Sequence, residues 1–66
     1  MNFTVTDFAP KLNSNNYYDV DVVFTEQSNG QTFAETFQGN DTDMVIAIQN
    51  VLPNMQSRIM QLNQLT

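Results

Sequence analysis

The chain has no cysteine and no histidine, and only two glycines, two prolines and two basic residues among its 66 positions. Without cysteine no disulfide can form, and without either residue the usual transition-metal sites lose their ligands. Catalytic sets built on a thiol or an imidazole are excluded with them. Lys11 is a single amine in a Pro/Asn stretch, and Gly30 and Gly39 stand in neither a phosphate-loop nor a dinucleotide-binding context. Two bases cannot assemble a phosphate-neutralising surface, so direct nucleic-acid binding is not expected and anionic membranes are disfavoured. The longest unbroken apolar run, Met44 to Ile48, falls far short of the ~20 residues of a membrane span. The opening MNFTVTDF has neither a basic region nor an apolar stretch. The expectation is a soluble, unprocessed, cytoplasmic chain without cofactors.

What is present is one small domain, residues 1–66, with a net charge of −5. At this length only about 60% of the unfolded chain's surface leaves water on folding, so the core is small. With disulfides and common metals excluded, self-association is the expected supplement. The charge is unevenly placed: all seven acids precede residue 44, and the segment from Met44 onward carries only Arg58.

Phe3 and Val5 alternate with Thr4 and Thr6, predicting a strand over about residues 2–7. The following APKLNSNN, with Pro10 and an Asn/Ser cluster, predicts an exposed connection. Residues 17–38 predict a β-hairpin around Asn29-Gly30, the pair favoured in a type I′ turn because both central residues need positive φ. That turn pairs Glu26 with Phe33, Phe24 with Glu35 and Val22 with Phe37. One face then carries Val20, Val22, Phe24, Phe33 and Phe37, and the other carries Asp19, Asp21 and a row of threonines and glutamines. Glu35 falls on the apolar face, where it either reaches past the aromatics into water, acts as an acid of raised pKa, or meets Arg58.

Asn40, Asp41, Thr42 and Asp43 supply capping side chains for a helix over about residues 42–65. Met44, Ile48, Val51, Met55, Ile59 and Leu62, with Val45 and Leu52, give it a wide apolar stripe. Pro53 lies on the opposite side, and the stripe keeps its phase across it, which favours one kinked helix over two helices meeting at Leu52-Pro53. The expected fold is α+β in two layers: an antiparallel hairpin or three-stranded meander under one long C-terminal helix.

Three functional readings follow. Ile46 and Met60 point away from the core stripe and suggest a helix surface that meets another copy or a protein partner. Asp19, Asp21, Glu26 and Asp43 suggest an acidic face that could block a basic host protein such as a defence nuclease, imitating nucleic-acid phosphates. Tyr17 and Tyr18 suggest contacts to a small ligand held between subunits. Asp41 and Asp43 in GNDTD lack the further ligands of a calcium loop and read as helix caps. In size, amide content and want of a catalytic set the chain is similar to small accessory proteins of viruses and phages, which would place it in the host cytoplasm. The reading that best joins these points is a non-catalytic, homo-oligomeric protein-interaction module.

Overall fold

Strand-forming residues fill the first two thirds of the chain and helix formers the last. The computed structural model, which describes residues 2–64, bears out that division. Its elements are β1 (Phe3–Leu12), β2 (Tyr18–Glu26), β3 (Thr32–Asp41) and α1 (Met44–Asn63). The strands form an antiparallel sheet in the order β1-β2-β3 with α1 across one face, so the meander form of the α+β expectation is the correct one.

β2 is the central strand, and its residues alternate cleanly between the two faces. Val20, Val22 and Phe24 are fully buried under the helix, and Asp19, Asp21, Val23 and Thr25 lie on the outer face. Phe24 sits between Phe33 and Phe37, with ring centroids 5.3 and 6.3 Å away, and Phe3 meets Phe33 edge-on at 5.7 Å.

The hairpin register differs from the expected one by two residues. Phe24 faces Phe33, Val22 faces Glu35 and Val20 faces Phe37. A shift of two keeps every side chain on its face, so the face assignment stands while the partners change. The cause lies in the loop. Only Gly30 takes a positive φ (74°) there, whereas a type I′ turn needs it at Asn29 as well. The chain instead closes a longer loop, with the Gly30 N–H donating to the Glu26 carbonyl and the Glu26 N–H to that of Gln31, each at 2.8 Å.

β1 runs five residues further than alternation predicts, through Pro10 to Leu12, and the exposed connection shrinks to the turn after Leu12. Two features hide this continuation. Proline cannot donate to a ladder and is tolerated because β1 is an edge strand. Thr6 is bulged out between Val5, opposite Phe24, and Asp7, opposite Val23. Beyond the bulge Phe8, Pro10 and Leu12 face Val22, Val20 and Tyr18, on the helix side of the sheet.

α1 is one helix with Pro53 inside it and Gln64 as its C-cap; the expected end near Leu65 lies outside the described residues. Its N-cap is Asp43, whose carboxylate accepts from the N–H groups of Val45 and Ile46 at 2.9 and 3.3 Å. The face it buries is rotated from the expected one. Ala47, Val51, Met55 and Leu62 point inward, while Val45 and Leu52, expected in the core, are exposed. Gly39 accounts for the rotation. A Cβ there would stand 2.6 Å from the Ala47 Cβ and 2.7 Å from the Tyr18 carbonyl oxygen. Two small residues thus let the first helical turn lie directly on β3, which turns Val45 and Leu52 toward β1.

Candidate functional site

The two flanks of α1 are built differently. On the β3 side, Asn50 Nδ2 donates to the Gly39 carbonyl at 2.8 Å, and Arg58 Nε donates to Glu35 Oε1 at 2.7 Å. Of the roles foreseen for Glu35, two occur together: its side chain reaches the edge of the sheet, where it stays about one third exposed, and it meets Arg58. The carboxylate lies at the half-open edge of the apolar layer, where the guanidinium compensates its desolvation.

On the β1 side the helix is held at its end, where the Phe3 N–H donates to Asn63 Oδ1 at 2.7 Å and Asn63 Nδ2 donates to the Phe3 carbonyl at 3.3 Å. Before that tie the two elements stand apart, leaving an open groove of about 420 Å³. Its lining is Val5 from β1 with Leu52, Met55, Gln56, Ile59 and Met60 from α1. Gln56 is the one polar side chain in that set. Val45 and Leu52 are on the same helix flank as Asn63, eighteen and eleven residues before it, and extend the apolar wall toward the helix start. Phe8 and Leu12 extend the floor along β1.

Met60 belongs to this groove and Ile46 does not line it; the two are separated by about 21 Å along the helix axis. The surface foreseen for the pair is therefore divided, and alternation and spacing missed its other half. Phe8 and Leu12 could have been found only by recognising Thr6 as the extra residue of a bulge.

The acidic residues do not converge on one face. Asp19 and Asp21 do share the outer face of β2, but Lys11 Nζ lies 2.7 Å from Asp21 Oδ2 and Thr36 Oγ1 donates to Asp21 Oδ1 at 2.7 Å. The bond from Lys11, with that from Thr36, holds the Asp21 carboxyl below the usual carboxylate range. Glu26 is on the other face, only 5% exposed, at the loop end of β2. It accepts from the Ser28 N–H at 2.9 Å, the Ser28 hydroxyl at 2.7 Å and the Asn2 N–H at 3.2 Å. These bonds, the Ser28 N–H foremost, lower its pKa. Glu26 thus organises the loop and ties the chain start to it, and Asp43 caps the helix.

Tyr17 is exposed in the turn before β2, and Tyr18 begins the strand, opposite Leu12 and Asp41. Among the described residues no three acids gather as a metal site would need, and no helix is long and apolar enough to cross a membrane. No family model, curated protein or solved structure matches this chain.

Proposed function

We propose that this protein is a small non-catalytic interaction module that assembles with further copies of itself, in an accessory or structural role. The observation that carries the reading is the uncovered apolar surface along the β1 flank of α1. Val45 and Met60 are each 62% exposed, Leu12 56%, Phe8 46% and Leu52 42%. At those exposures the five side chains leave on the order of 500 Å² of apolar surface, at the upper end of what a monomeric protein shows in one patch.

The acidic surrogate for nucleic acid draws less support. Lys11 is paired with Asp21, Glu26 is turned into the loop, and Asp43 is bonded to the helix N-terminus. A phosphate mimic needs its charges free and aligned, since duplex DNA presents one per ~1.7 Å of axis. Sedimentation equilibrium tests the proposal: the intact chain at tens of micromolar is expected to sediment as a dimer or larger species, and a monomer at that concentration overturns it.

A further inference from the structure

Resting on that reading, we infer that the occupant of the β1–α1 groove is a second copy of this chain, related by a two-fold axis, with Phe8 of each copy seated against Val5, Leu52 and Met60 of the other. The floor of the groove and the side chain that fills it lie on the same strand. Val5 floors the groove, and Phe8 stands further along β1 on the same side of the sheet. With one of the intervening residues bulged, the separation along the strand is only about 7–10 Å. A two-fold axis between the two positions brings each Phe8 over the other copy's groove, the reciprocal contact that closed dimers require.

Charge permits the association although each chain carries −5. No titratable side chain lines the groove. Asp7, Asp19 and Asp21 belong to the opposite face of the sheet, Glu35 is neutralised by Arg58, Asp41 and Asp43 precede the helix, and Glu26, on the helix side, is buried in its bonds to Ser28 and Asn2. The joined surfaces therefore bury no like charges. The area is also of the right size: the ~500 Å² of exposed apolar side chain, with its polar rim, approaches the ~800 Å² per partner of a standard interface.

Side chains rather than backbone make the contact. β1 is an edge strand, but Pro10 supplies no N–H and the Thr6 bulge interrupts its line of free backbone groups, both of which blunt strand-to-strand addition.

The test compares the intact chain with Phe8→Lys, Leu52→Glu and Ile46→Lys by sedimentation equilibrium, with circular dichroism to monitor folding. Each groove variant is expected to raise the dimer dissociation constant by about tenfold or more, and Ile46→Lys to leave it unchanged. A dimer that survives both groove variants overturns the placement while the self-association reading stands. A monomeric intact chain overturns both. Because the chain has no cysteine, a second measurement does not depend on charged substitutions. Mixed Phe8→Cys and Leu52→Cys proteins are expected to form the crossed disulfide on mild oxidation, and its absence overturns the seating of Phe8.

Discussion

The β3 flank and the β1 flank of the same helix show how a small domain divides its surface between folding and association. Toward β3, α1 is fixed by a close backbone approach at Gly39, a hydrogen bond from the Asn50 side-chain amide and the Arg58–Glu35 pair. Toward β1 it is fixed by Asn63 at one end and otherwise leaves aliphatic and aromatic side chains in the open. Polar and steric specificity on one flank sets where the helix lies, and much of the apolar area not needed for that purpose is left on the other flank. A helix displaced toward β1 would cover Phe8 and Leu12 and expose β3 instead.

The strongest way to break this asymmetry is to fill the space at Gly39. Gly39→Ala is expected to cost about 1–3 kcal/mol, the usual range for overpacking, because the new methyl meets the Ala47 Cβ and the Tyr18 carbonyl with nowhere to go. Urea unfolding measures it, and an unchanged midpoint would mean that the approach of helix to β3 is not what orients α1. Next in size, Asn63→Ala removes both bonds to Phe3 and should cost about 1–2 kcal/mol. It should also speed hydrogen exchange at the Phe3 amide, while amides along β3 keep their protection.

The Arg58–Glu35 pair is about one third exposed on each side, so its coupling is expected to be only about 0.5–1 kcal/mol. A double-mutant cycle with Arg58→Met and Glu35→Gln reads it directly. A coupling near zero would leave Gly39 and Asn50 as the determinants of the β3 flank.

Acid should weaken the chain through Glu26. Its folded pKa is below its unfolded one, so its contribution is complete above the ordinary glutamate range and fades as pH falls through the lowered value. Thermal unfolding should therefore lose midpoint on acidification, and Glu26→Gln should flatten that slope. The smallest effect belongs to Lys11. Its ammonium is largely exposed, so Lys11→Gln should change stability little, and any loss should disappear in high salt.

Much of this architecture was legible because several signals agreed. Alternation through Val20, Val22 and Phe24 placed the central strand, and the Asp41–Asp43 cluster announced the helix start. What remained hidden depended on contacts between elements. The hairpin register turned on a carboxylate, Glu26, bonding Ser28 and favouring a longer loop over the two-residue turn that Asn29-Gly30 suggests. The rotation of the helix turned on a glycine and an alanine eight residues apart on different elements, and apolar periodicity is blind to a contact made by the smallness of side chains. The groove was half visible for a different reason: Met60 stood out on the helix, but its counterpart strand was masked by Pro10 and by a break in alternation.

That break has a consequence for how this chain can change length. With Thr6 left out, the letters from Phe3 to Leu12 alternate with Ala9 as the one exception, and every later residue keeps the partner on β2 that it has now. Position 6 is therefore where a one-residue deletion should be nearly silent for the arrangement of side chains. The same loss in the regular stretch beyond it would move every residue on one side of the cut to the other face of the sheet unless a new bulge absorbed it.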